Sequence, residues 1–189
     1  MGTEEGADAR ATSKRASGKG GGRNRSGGGS AKVRRAAARL AAVQALYQID
    51  ITGTPVETVV GEFVKHRLGG EVDEAEGARF VAADPQLFAD IVRGAAYRQD
   101  DVDQMISDAL AGRGPIDRVE ALLRAVLRAG AYELLAHADV HPRIIIGAYL
   151  DVTHAFFGGR EPSLVNGVLD RLARTLRPDE LANPDPTRE

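Results

Sequence analysis

The sequence predicts an all-α fold of six or seven helices joined by short connections. Three observations carry that expectation. From about Ala31 onward, apolar residues recur three and four positions apart, the period of a helix with one buried face. Cap-then-proline starts and paired glycines punctuate the chain between these stretches. No segment alternates apolar and polar residues for long enough to make a strand.

Residues 1–30 come first and predict no structure. They hold nine Gly and, after Met1, no bulky apolar side chain, too little to offset the entropy of ordering a chain. We read them as a disordered Gly/Arg-rich basic tail. Gly18-Lys19-Gly20 has neither the preceding strand nor the following helix start that a phosphate loop needs. The helical domain spans residues 31–178, and a polar tail follows over residues 179–189.

The first helix predicts a stripe of Leu40, Val43, Leu46 and Tyr47, with Arg34, Arg35 and Arg39 in its opening turns and Gly53 as its stop. Thr54 reads as the cap of a second helix with Pro55 at its first position. That helix buries Val56, Val59, Val60, Phe63, Val64 and Leu68, and Gly69-Gly70 ends it. Residues 71–83 read as an acidic loop anchored by Phe80 and Val81. Asp84-Pro85 opens one long helix or two collinear ones running to Leu110, and Gly112-Arg113-Gly114-Pro115 breaks it. Ile116 to Leu134 mark a further helix ending near His137. Pro142 restarts the chain, with Ile145, Tyr149, Val152 and Phe156 facing inward and Gly158-Gly159 as a stop. The last helix carries Leu164, Val165, Val168, Leu169, Leu172 and Leu176, and Arg177-Pro178 closes it.

Composition narrows the chemistry. There is no cysteine, which excludes disulfides, thiolate metal sites and cysteine nucleophiles. No apolar run approaches the ~18 residues of a membrane span, and no secretory leader is evident, so a cytoplasmic protein with no membrane association is expected. Charge is strongly asymmetric. Residues 1–39 carry ten Lys/Arg against three acids, a net of +7, within a chain of net −2, so the rest carries −9. A basic arm on an acidic body suits a chain whose end meets a polyanion.

No catalytic centre, metal site or cofactor is expected. His137 and His141 have a zinc-like spacing, but Pro142 interrupts the helix that would align them, and they read as surface histidines. Asp100, Asp101 and Asp103 lack the glycine and closing glutamate of a calcium loop and read as a solvated face. Ser163 and His154 have no Gly-x-Ser-x-Gly turn to expose a nucleophile. Asn166-Gly167 inside an apolar helix is the one oddity. Close packing of a neighbouring helix on Gly167 is the favoured explanation, and a ligand surface the alternative, so Gly167→Leu is expected to overpack.

Three stretches resemble one family. Arg34-Arg35-Ala-Ala-Ala-Arg39-Leu-Ala-Ala-Val43-Gln44-Ala45-Leu46-Tyr47 resembles the opening helix of the bacterial transcription antitermination factor NusB. Leu123-Arg124-Ala-Val-Leu127-Arg128-Ala-Gly-Ala-Tyr132-Glu133-Leu134-Leu135 is similar to its central helix, and Val165-Asn166-Gly167-Val168-Leu169-Asp170 to its last. The resemblance implies two packed three-helix bundles and a binding subunit rather than an enzyme. It implies pairing with NusE, a small-subunit ribosomal protein, binding of single-stranded boxA-type RNA, and action on the transcription elongation complex to promote read-through of ribosomal RNA operons. The implied RNA contacts are the basic helix start (Lys32, Arg34, Arg35 and Arg39) and the turn before the Asn-Gly motif (Arg160, Ser163 and Leu164). None of the three arginines lies on the Leu40/Val43/Tyr47 stripe, so all three are expected to be exposed. The chain departs from the family at Leu123, where an acid is common, at Leu164, where an aromatic is common, and at Gly147-Ala148, where Asn-Glu is common. Two other readings compete. One is the NusB-like domain of a ribosomal-RNA methyltransferase system, which would need a further α/β domain. The other is a protein-only helical scaffold.

Overall fold

The computed structural model describes residues 26–68, 82–112 and 114–182, and among these every regular element is helical. The expected disordered tail up to residue 25, the Phe80 and Val81 anchors and residues 183–189 lie outside the described residues. Helix α1 spans Ser26–Thr52, α2 Val56–His66, α3 Pro85–Tyr97 and α4 Gln99–Ala109. Helices α5 (Ala121–Ala136), α6 (Pro142–Phe156), α7 (Glu161–Leu176) and the short α8 (Pro178–Ala182) complete the set.

Helices α1, α2 and α3 pack on one another, and so do α5, α6 and α7, giving two three-helix bundles. Helix α4 lies against α5 and α7, and α1 packs along α5 and joins the two halves. Small residues make that seam possible. Ala38, Ala41, Ala42 and Ala45 form the buried face of α1 together with Val43 and Leu46. On α5, Ala125, Ala129, Gly130 and Ala131 let neighbours approach from several sides, and the helix is buried almost continuously from Leu123 to Leu134. A side-chain carbon at Gly130 would sit 3.0 Å from Leu169 Cδ1 and 3.3 Å from Tyr149 Cδ2.

Local signals explain most boundaries. Asp84 caps α3, its Oδ1 accepting from the N–H groups of Gln86 and Leu87 at 3.1 and 3.2 Å, with Pro85 at the first position. His141 Nδ1 accepts from Arg143 N–H at the start of α6. Gly112 and Gly114 take positive φ (81° and 97°) in the break before Pro115, a conformation L side chains avoid.

Several expectations are corrected. Helix α1 begins five residues before Ala31, because Gly27–Gly29 lower helix propensity without forbidding the backbone geometry. Tyr47 is 38% exposed, since the buried face runs through Ala38, Ala42, Val43, Ala45 and Leu46 and leaves position 47 at its margin. Pro55, not Thr54, is the α2 N-cap, and Val64 faces solvent, as does Phe156 on α6. Of the two readings of the segment after Asp84, the two-piece one holds, with the division at Arg98 between α3 and α4. Ile116–Arg118 form a single 3-10 turn, and Glu120 then caps α5 by accepting from Leu122 and Leu123 N–H. The polar stretch after Arg177 opens as α8, which Arg177 ties down by pairing with Glu180.

The packing explanation of Gly167 fails. Both Asn166 and Gly167 are exposed, and a side-chain carbon at Gly167 would meet nothing within 4 Å. Gly167→Ala is therefore expected to stabilise the protein by about 0.5–1 kcal/mol, the ordinary helix-propensity difference, as read from urea midpoints. A destabilised variant would mean that α7 is packed differently.

Candidate nucleic-acid interface

Residues 31–36 of α1 are exposed. Lys32, Arg34 and Arg35 are exposed, and the Arg34 carbonyl accepts from Asp84 N–H at 3.1 Å, which fixes the start of α3 against α1. Arg39 is the correction. It is only 6% exposed, and its guanidinium pairs with the fully buried Glu133 of α5. Its Nε donates to Glu133 Oε2 at 2.9 Å and to Oε1 at 3.2 Å. Arg35 and Arg39 share a helix face, being four residues apart. Arg39 lies alongside Glu133 of α5, whereas Arg35, a turn earlier, approaches the level where α5 ends at Ala136. Burial here depends on where the partner helix ends.

Tyr149 of α6 completes the buried group, its hydroxyl donating to Glu133 Oε2 at 3.0 Å. Burial, then the Glu133 charge, push the Tyr149 hydroxyl well above its usual value, so it stays a donor. Burial also works against the Arg39 charge, but the hydrogen bond and charge of Glu133 outweigh it.

Beside this pair lies a cavity of about 290 Å³. Arg35 and Arg39 line it from α1, Asp84 and Asp90 from the α3 side, and His137 and Asp139 from the end of α5 and the turn that follows. His137 Nε2 lies 2.6 Å from Asp90 Oδ2, and Tyr132 donates to Asp90 Oδ1 at 3.4 Å. Among the described residues no three His, Asp or Glu side chains converge as a metal-holding group. The sequence marked Asp84 only as a cap and His137 only as a surface residue. Nothing local in it signals that the two line one cavity.

The second predicted element lies elsewhere. Arg160 and Ser163 are exposed and Leu164 half-buried at the start of α7, beside the exposed Asn166 and Gly167. Helix α1 runs antiparallel to α5, since Arg39 meets Glu133 while Asp50 meets Arg124. Helix α7 runs parallel to α5, since Leu169 reaches Gly130 while Arg177 donates to the carbonyls of His137 and Ala138. Arg34 and Arg35 therefore sit near the C-terminal end of α5, and Ser163 and Leu164 near its N-terminal end. At 1.5 Å per residue the separation along α5 is roughly 20 Å. A ligand touching both must be extended.

Asp103 is not a solvated acid. It accepts two hydrogen bonds from Arg128, both at 2.7 Å, while Arg128 also reaches Asp50 at 2.8 Å, joining α1, α4 and α5. Burial raises the Asp50 pKa, but hydrogen bonds from Arg124 and Arg128 dominate and hold it below the usual 3.8. A carboxylate held low in the fold contributes stability above its unfolded-state value and loses it as pH falls through the folded value. Stability is thus expected to decline below about pH 4, and Asp50→Asn to flatten that decline, as measured by urea melts between pH 7 and 3.

The described helices include none long and apolar enough to cross a membrane. The sequence model of the NusB family matches residues 36–174. A relative from Bradyrhizobium sp. (strain BTAi1 / ATCC BAA-1182), called transcription antitermination protein NusB, is 48% identical over 148 residues, which is 78% of this chain and 86% of the relative. Two solved structures share the fold. T. maritima NusB superposes with a TM-score of 0.63 at 23% identity, covering 79% of this chain and 97% of its own. A chain from a crystal structure of the antitermination factors NusB and NusE in complex with dsRNA gives a TM-score of 0.60 at 23% identity, covering 76% and 98%.

Proposed function

The chain belongs to the NusB family, and from that premise we propose that it is an RNA-binding transcription antitermination factor. It pairs with NusE, binds boxA-type RNA as a single strand, and works on the transcription elongation complex in the cytoplasm to promote read-through of ribosomal RNA operons. It acts by binding rather than by catalysis. The observation that carries this reading is the exposed basic head of α1, Lys32, Arg34 and Arg35, on a body of net −9. Such a head neutralises phosphates, and the acidic remainder discourages indiscriminate wrapping. The start of α7, with Arg160, Ser163 and Leu164, serves as a second contact for the same strand.

Binding measured across a salt series tests this. Removing one cation that neutralises a phosphate reduces the slope of log affinity against log salt by roughly 0.7 for a single strand. Replacing Arg34 and Arg35 together by Ala is expected to reduce the slope for boxA-type RNA by roughly 1.4, with or without NusE, at unchanged melting temperature. A wild-type slope in the double variant would remove the head of α1 from the interface. A protein-only scaffold would show NusE binding and no RNA binding at any salt.

A further inference from the structure

We infer that the cavity at the head of α1 receives one unstacked nucleobase and favours a base with an exocyclic amino group. This rests on the RNA reading above and names what that site selects.

Sequence-specific reading of single-stranded RNA needs hydrogen bonds to base edges or planes on which bases stack. Phosphate contacts at Lys32, Arg34 and Arg35 supply neither. The chain has no Trp and only nine Phe and Tyr, and the described part of the basic head carries none. The cavity supplies what the head lacks. Its volume of about 290 Å³ is just below the ~300–1,000 Å³ of pockets for drug-sized ligands, so it fits one planar ring system. Leu87 and Val140, both half-buried, give it apolar wall against which ring faces can rest.

Edge recognition follows from the carboxylates. Asp84 already accepts two backbone N–H groups, and Asp90 is engaged by His137 and Tyr132. Asp139 and Gln86 stand exposed at the opening and are the side chains best placed to read a base. A carboxylate only accepts, so it selects a donor edge. Carboxylates accept from the N4 amino group of cytosine in this way, and uracil has no such group.

The test compares two 12-nucleotide RNAs, one all uridine and one alternating uridine and cytidine, binding to the full-length chain in fluorescence anisotropy. Both strands carry the same charge, so their affinity ratio removes the phosphate contribution. The wild type is expected to prefer the cytidine-containing strand roughly tenfold, within what one base-edge pairing supplies. Asp139→Ala combined with Gln86→Ala should bring the ratio close to one, with the melting temperature and the salt slope for the uridine strand kept. A ratio near one in the wild type, or a preference that survives the double variant, overturns the base-pocket assignment while leaving the phosphate contacts standing. Failure of both strands to bind at low salt overturns the RNA reading and this inference with it.

Discussion

Replacing Arg39 with alanine is expected to destabilise the protein by about 3–5 kcal/mol, because it leaves the carboxylate of Glu133 buried without its counter-charge. For a chain of this size that corresponds to a fall of roughly 10 °C in melting temperature. The loss has a signature beyond its size. Exchanging the pair for apolar residues, Arg39→Met with Glu133→Leu, should recover most of the stability, since two charges then no longer need to be desolvated. Urea melts of the three proteins decide the matter. If Arg39→Ala melts like the wild type and instead flattens the salt dependence of RNA binding, the guanidinium belongs to the interface after all.

The second large effect is expected at Gly94 of α3. A side-chain carbon there would collide with the ring of Tyr132, which is 8% exposed, donates to Asp90 and lies edge-on to His137. The aromatic ring cannot bend aside as an aliphatic chain would. Gly94→Ala is therefore expected to cost about 1–3 kcal/mol, even though alanine gains about 1 kcal/mol in helix propensity. The same substitution at Gly167 carries the opposite sign, which makes the two a matched pair. A double-mutant cycle with Tyr132→Leu should show strong non-additivity, the loss at Gly94 largely vanishing once the ring is gone. Additive losses would place the clash elsewhere.

The helices and their punctuation were legible in the sequence because their causes are local. The Asp84-Pro85 cap, the restart at Pro142 and the break at Gly112–Pro115 are all written in neighbouring residues. Faces were harder to read. The buried side of α1 is made mostly of alanines, whose small side chains give a weak periodic signal, and so Tyr47 was drawn into a core it only borders. Exposure along one face was not legible at all. Arg35 and Arg39 have the same direction and nearly the same neighbours in sequence, and what separates them is the end of α5, about a hundred residues away. The cavity was invisible for a similar reason, since it draws on three segments brought together only by the packing of α1 against α3 and α5.

The ion pairs along the α1–α5 seam have a mechanical consequence. Arg39–Glu133 stands near one end and Asp50–Arg124 near the other, eleven residues apart along α1, or about 16 Å. A slide of α1 by one helical turn, about 5.4 Å, would break both clamps at once and strand at least one charge in the interior. The helix is thus pinned as a strut and has no second register to ratchet into. Its basic head is held at a fixed height above α5 before any partner arrives. Ordering the head against α5 then need not be done at the moment of association, which lets weak individual contacts add up to useful affinity.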